Sequence, residues 1–381
     1  MPNNPYKWLQ KNLFNTWYNT ALTVICSWLI YWVLSNLITW AFTEAQWVVL
    51  DANFRLFFVG SYPVKALWRA WTTLGIIVAF GGITWGILAH KAAKLFDRRI
   101  LIVLGIVAAT CAAVAIPGEI QSSFILLGML VLLIISAIIG KNIASKFPEI
   151  NNWLPAIWLL VFGFNIWLLL SANSMRLDRV SGLMLTIPIA IVSIVLCFPF
   201  GVLLALGRQS NLPVIRWLSI AYIEIVRGFP LIGILFMAQV MLPLVLPADV
   251  RPDRVIRAIA GFTIYSAAYL AENVRGGLQS IPRGQTEAAK ALGLNPVYVL
   301  AFIVLPQALK AVIPSTVGQF IALFKDTSLL AIVGLTDLLG MSQKIIANPK
   351  YLGRYGEVYL FVAVIYFLCC YAMSSASKKL E

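Results

Sequence analysis

The chain has 381 residues, of which 61% are hydrophobic and only 12% charged, with a formal net charge of +14. Soluble domains carry about 25% charged residues, so the composition excludes a water-soluble globular protein and selects an all-α polytopic membrane protein. The basic residues are dispersed through short loops, which fits anionic lipid headgroups and a positive-inside bias rather than a nucleic-acid partner.

Apolar runs of about 17 to 25 residues, the length that crosses a bilayer as a helix, recur about ten times. The first five lie near 21–43, 72–90, 100–117, 123–140 and 153–171, and the second five near 181–206, 218–246, 255–274, 299–324 and 357–376. The run 327–339 is too short to cross alone, and is expected to dip into the membrane or lie at its surface. No cleaved signal peptide is expected, because a polar, Asn-rich, Trp-containing stretch precedes the first run in place of a short basic one.

Orientation follows from charge and parity. Lys91, Lys94, Arg98 and Arg99 fall in one short loop after two spans, so that loop and both termini are expected in the cytoplasm. The loops with Lys141 and Lys146, with Arg208 and Arg216, and the tail with Lys378 and Lys379 then fall on the same side. Residues 55–69 are expected in an external loop, and the bias is modest because Arg251, Arg254 and Arg257 also fall outside.

Few residues carry reactive chemistry. A single histidine, His90, rules out HExxH metal chemistry and leaves a Ser/His/Asp triad no second candidate, and its place beside Lys91 reads as a solvated helix end. The five cysteines, Cys26, Cys111, Cys197, Cys369 and Cys370, all lie in apolar stretches without a CxxC pair, and are read as buried structural thiols rather than metal ligands. No GxxxxGK[ST] occurs, so ATP and Mg are expected on another chain and no cofactor on this one.

Composition shifts near residue 175. Twelve of the thirteen tryptophans precede it, and since Trp favours membrane interfaces, residues 1–175 read as a lipid-facing extension of about five helices that serves as scaffold. Residues 176–381 hold the remaining five spans and most of the polar intramembrane residues. On this reading the second half alone, with its partners, keeps some transport.

Between two apolar runs, 279–314 reads QSIPRGQTEAAKALGLNPVYVLAFIVLPQALKAVIP. Residues 285–292 form a short Ala-, Glu- and Lys-rich helix, Gly293 stops it in the left-handed conformation, and Asn295 caps a restart with Pro296 at the first position. This is a rigid knob on a membrane surface. Glu287, Ala288, Ala289, Gly293, Leu305 and Pro306 stand at the spacing of the EAA loop of permease subunits of type I ATP-binding-cassette importers, which the chain resembles, with the coupling loop at 279–306. The blocks YIEIVRGFPL, AAYLAENVRGGLQSIPRGQTEAAKALG and FKDTSLL resemble the polar amino-acid branch of that family, and the long first half its N-terminally extended members. Phe229, where the family often has Thr, and Asn273, where it often has Ile, depart from the pattern.

The resemblance implies a five-helix type I importer core and alternating access. It also implies an ATPase dimer, a second homologous permease subunit, a periplasmic amino-acid-binding protein and residence in a bacterial inner membrane. Gln285, Glu287, Ala288, Ala289, Lys290, Gly293 and Pro306 become the ATPase coupling set, although Glu287 and Lys290 on their own read equally as a solvated helix face.

The other polar residues are read from their spacing. Glu224 and Arg227, three apart, are close enough to pair, as are Glu272 and Arg275; with Pro230 they form a structural or gating set. Gln319 and Asp326, seven apart on one helix face, with Thr327 and Ser328, offer donors and acceptors suited to a zwitterion, and polar neutral or acidic amino acids are expected to be preferred. Asp326 equally fits a cap of the next turn or a partner for Lys325. Pro188, Pro199, Pro306 and Pro314 interrupt helices at membrane depth, which is tolerated along a cavity or a protein interior. An ion-coupled secondary amino-acid carrier is the alternative; it would not need the knob, and would show two similar halves.

Overall fold

The computed structural model describes residues 12–89, 120–147, 149–170 and 180–377, with residues 9, 101, 104, 105 and 108 as isolated positions. The described elements are helical: α1 (Trp17–Thr43), α2 (Val48–Val59), α3 (Leu67–Leu88), α4 (Ile120–Lys146) and α5 (Ile150–Leu170) come first. The second half comprises α6 (Leu183–Arg208), α7 (Pro213–Gly228), α8 (Leu231–Phe236), α9 (Arg254–Ser280), α10 (Arg283–Ala291), α11 (Leu305–Ala311), α12 (Ile313–Asp326), α13 (Leu338–Ile346) and α14 (Tyr355–Ser377). Expectations on His90, the basic loop 91–99, the span 100–117, Cys111, the stretch around 175 and the tail lysines fall outside the described residues.

The chain divides into two units, one made of residues 1–52 with 346–361 and the other of 53–345 with 362–381. In the first unit α1 has no buried residue, as suits a helix apolar all round with lipid as its solvent. Glu357 ties this unit together. It accepts the Gln46 N–H at 2.9 Å and pairs with Arg354 at 3.7 Å, while Gly356 leaves room for the Trp40 ring, which would lie 2.6 Å from a Cβ there.

In the second unit α3 packs on α4 and α5. Gly86 and Gly140 let the α3 and α4 backbones touch, since a Cβ on either would collide with the facing carbonyl of Ala137 or Ile83; small residues of this kind drive close helix packing where no hydrophobic effect operates. The second half is arranged around α9, which lies against α6, α7, α8, α11 and α12. Its buried face runs through Ala258, Phe262, Ala267, Leu270, Ala271 and Val274, each 1% exposed or less.

Five of the described helices are long and apolar enough to cross a membrane, or seven if each of two bent pairs is one span. The expected count of about ten spans is not reached among the described residues, which leave out most of the expected span 100–117. The expected run 218–246 is α7 and α8 joined at a 100° bend, and the run 299–324 is bent by 60° between the segment ending at Ala311 and α12. The expected external loop at 55–69 is instead part of α2, a 3-10 turn Val64–Ala66 and the start of α3. The run 327–339 is a 3-10 turn (Thr327–Ala331) leading to α13.

Prolines account for part of this geometry: Pro314 stands in the first turn of α12, directly after the 60° bend, as expected. Pro188 and Pro199 sit inside continuous α6, so they do not end it. Two stretches widen to π-helix, Met237–Met241 and Val299–Val304, and each is followed within two residues by a proline, Pro243 or Pro306. A proline ring clashes with the carbonyl four residues back, and the wider π turn relieves that clash. Arg257, 9% exposed, donates to the Gln239 carbonyl in the first π stretch at 2.7 Å.

Candidate functional site

The segment 283–306 has the local structure its residues dictate. α10 spans Arg283–Ala291, two residues earlier at its start than sequence suggests, and ends in a Schellman turn: Gly293 N–H donates to Lys290 O at 2.9 Å and Leu294 N–H to Ala289 O at 3.2 Å. Gly293 has φ +80, which glycine adopts without strain. Asn295 Oδ1 accepts the Tyr298 N–H at 2.9 Å, capping the restart, with Pro296 in the first turn. Ala289 is buried against the following segment, whereas Gln285, Glu287, Ala288 and Lys290 are exposed. Among the described residues no ion pair joins Glu287 to Lys290, and Leu292 stands 83% exposed at the tip. Charged and apolar groups thus stand open together on one short helix and its C-terminal turn. Pro306 lies behind it in the first turn of α11.

Beside this knob, the ends of three helices meet in an ion cluster. Glu272 on α9 accepts Arg275 bidentately at 3.0 and 3.1 Å, and pairs with Arg208 of α6 at 2.8 Å and Arg227 of α7 at 3.4 Å. The expected Glu272 and Arg275 pair is present; the expected Glu224 and Arg227 pair is not. Glu224 turns instead to Arg208 at 3.0 Å, and Arg227 lies over the Tyr269 ring at 5.5 Å. Helical spacing identifies which residues share a face but not which neighbour satisfies them, and Arg208 belongs to another helix. Pro230 caps α8 at the 100° bend.

The polar face of α12 is more divided than its spacing suggests. Gln319, Asp326 and Ser328 are half-buried. Asp326 stands at the N-cap of the 3-10 turn without a side-chain cap bond, so its reading as a cap has no support, and its carboxylate has no hydrogen bond or ion pair among the described residues. Thr327 differs from the lining expected of it: it is fully buried, its hydroxyl donating to Phe324 O at 2.6 Å. Sequence reasoning missed Asp337, also fully buried, which accepts the Gly340 N–H at 2.9 Å and the Tyr366 hydroxyl at 3.4 Å. Its signal was a carboxylate in an apolar run three residues before Gly340.

The family model described as "Binding-protein-dependent transport system inner membrane component" matches residues 197–381. The "Inner membrane amino-acid ABC transporter permease protein YhdY" of Escherichia coli (strain K12) is 36% identical over 98% of this chain and 91% of that protein. The chain belongs to this family. It is thus an ABC importer permease of the inner membrane, built of helices and crossing the membrane several times, and not an ion-coupled carrier. The permease is also similar to the "Glutamate/glutamine/aspartate/asparagine transport system permease protein BztC" of Rhodobacter capsulatus, 34% identical over 98% of this chain and 92% of that one. Among solved structures, the "Crystal structure of an amino acid ABC transporter with histidines" aligns with TM-score 0.48 and 28% identity, covering 52% of this chain and 91% of that one. Permeases of this family work with an ATPase and a binding protein.

Proposed function

We propose that this permease passes polar neutral and acidic amino acids from a periplasmic binding protein to the cytoplasm, paired with a second homologous permease subunit and driven by an ATPase dimer that holds ATP and Mg. The observation that carries the coupling role is α10 itself, stopped by Gly293 and presenting Glu287, Lys290 and Leu292 to a partner. The cargo class is supported by similarity to BztC along almost the whole chain, and by a neutral Gln319 near a single unpaired Asp326. One carboxylate offsets an α-ammonium and leaves nothing for a cationic side chain. Both termini and the knob are cytoplasmic on this reading.

Coupling is tested at Gly293. A Cβ there meets nothing within 4 Å, so Gly293→Val adds backbone strain of about 1 to 2 kcal/mol without a clash, and breaks the Schellman turn. The expected result is a complex that assembles and hydrolyses ATP but takes up little substrate per ATP. Unchanged uptake per ATP refutes the assignment of α10.

Selectivity is tested by uptake with one binding protein held constant. Asp326→Asn is expected to depress uptake of every amino acid about tenfold, the worth of a charged hydrogen bond, and Gln319→Glu to move preference toward Lys and Arg. Parental rates and substrate order in both variants would remove these residues from the pathway.

A further inference from the structure

Asp337 is the one fully buried carboxylate among the described residues, and no lysine or arginine pairs with it there. An unpaired carboxylate at 0% exposure is costly unless hydrogen bonds replace its water, so its acceptor contacts show what it serves. Oδ1 accepts the Gly340 N–H at 2.9 Å, and Oδ2 the Leu339 N–H at 3.2 Å and the Tyr366 hydroxyl at 3.4 Å. The first two cap α13. The third leaves the loop and reaches α14.

Tyr366 is the link. Its hydroxyl stands 3.5 Å from Thr327 Oγ1, and its ring packs on Phe324 with centroids 5.4 Å apart. Thr327 has one proton, which it gives to the Phe324 carbonyl at 2.6 Å, so toward Tyr366 it can act only as an acceptor. Tyr366 also has one proton, claimed by both Thr327 and Asp337. The order of donors along Asp337, Tyr366 and Thr327 therefore depends on what residue 337 offers. Residue 337 is itself held in place: its backbone forms a parallel bridge with Gly182, Gly182 donates to Thr336 O at 2.9 Å, and Leu338 N–H donates to Thr186 Oγ1 at 3.1 Å. Asp337 is thus joined to the first core helix, the last helix and the turn that carries Asp326 and Ser328.

We propose that Asp337 is a positioning residue for translocation, acting through Tyr366 on Thr327 to set the turn that presents Asp326 and Ser328 to the substrate. It rests on the proposed reading of Asp326 and Ser328 as pathway lining. Asp337 touches no substrate itself. Its effect reaches the pathway because Thr327 is the residue between Asp326 and Ser328, and the rotation of that turn fixes where both side chains point.

The test uses the whole complex reconstituted with its ATPase, partner permease and binding protein, measuring uptake per assembled complex and ATP hydrolysed per amino acid. Tyr366→Phe keeps the ring against Phe324 and leaves the α13 cap intact, removing only the hydroxyl. It is expected to lower maximal uptake about fivefold, the worth of one hydrogen bond, to raise ATP consumed per amino acid, and to leave unchanged the concentration of loaded binding protein giving half-maximal uptake. Asp337→Asn keeps the Gly340 N–H on its one oxygen but puts an NH2 where Oδ2 accepts the Leu339 N–H and the Tyr366 hydroxyl, so the order of donors is reversed and uptake per complex is expected to fall with that of Tyr366→Phe; parental uptake in Asp337→Asn would overturn the positioning role. Asp337→Ala loses both functions, and its assembly falls. If Tyr366→Phe transports like the parent while Asp326→Asn is impaired, the positioning role is overturned and the lining reading survives. If Tyr366→Phe and Asp326→Asn both match the parent, both readings fall. Loss of assembly alone in Tyr366→Phe, with normal uptake per remaining complex, assigns Asp337 to folding and overturns the proposal.

Discussion

Replacing Glu272 with alanine is expected to abolish most uptake and to lower the stability of the permease by about 2 kcal/mol, between the values of exposed and buried ion pairs. Glu272 is 17% exposed and faces Arg208, Arg227 and Arg275, themselves 23%, 36% and 30% exposed. Its loss strands Arg227 and Arg275 without a carboxylate, at the ends of helices whose burial restricts their escape to water. Arg208 alone keeps Glu224. The control is Glu224→Ala, which removes one contact from an arginine that retains Glu272 and leaves a 55% exposed position, so its cost is expected below about 1 kcal/mol. Thermal inactivation of the purified complex, read beside uptake, ranks the two. Equal shifts for both variants would mean that Glu272 is not the centre of the cluster.

The same cluster marks where sequence stops being legible. The Glu272 and Arg275 pair is local, three residues apart on one helix, and spacing identifies it. The partners of Glu224 and Arg227 lie on other helices and depend on how α6, α7 and α9 converge, which no spacing records. The helix–turn–helix at 283–298 was readable for the same reason in reverse: a glycine stop, an asparagine cap and a first-turn proline act within a dozen residues. Span geometry failed where only composition was available. The apolar run 218–246 has the length of a straight span, yet the chain turns by 100° between Gly228 and Leu231, where Phe229 precedes Pro230; the residue before a proline is pushed away from helical geometry. Asp326 was seen because it sits beside Gln319 at heptad spacing, whereas Asp337 lies in a run too short to be a span and its partners come from residues 182 and 366 as well as its own turn.

Gly182→Val is expected to be the most damaging single change at the junction of the two halves of the sequence. Gly182 has φ +67, and a Cβ there would lie 2.6 Å from the Phe57 carbonyl and 3.0 Å from that of Leu56. Val therefore meets two penalties: about 1 to 2 kcal/mol for a left-handed β-branched residue, and a collision with backbone that cannot rotate away, for which overpacking costs of about 1 to 3 kcal/mol apply. The collision would push apart a contact also fixed by the Ser61 N–H donating to Ser181 Oγ at 2.8 Å and by fully buried Phe57 and Tyr62. It would also disturb the Gly182 bridge that holds Asp337. These contacts join residues 53–62 to the start of α6. The control is Gly353→Val, where φ is +87 but nothing lies within 4 Å, so only strain applies. Gly182→Val is expected to lose assembly and uptake together, and Gly353→Val to keep most of both; equal behaviour of the two variants would show that the approach of Phe57 to Gly182 contributes nothing beyond backbone strain.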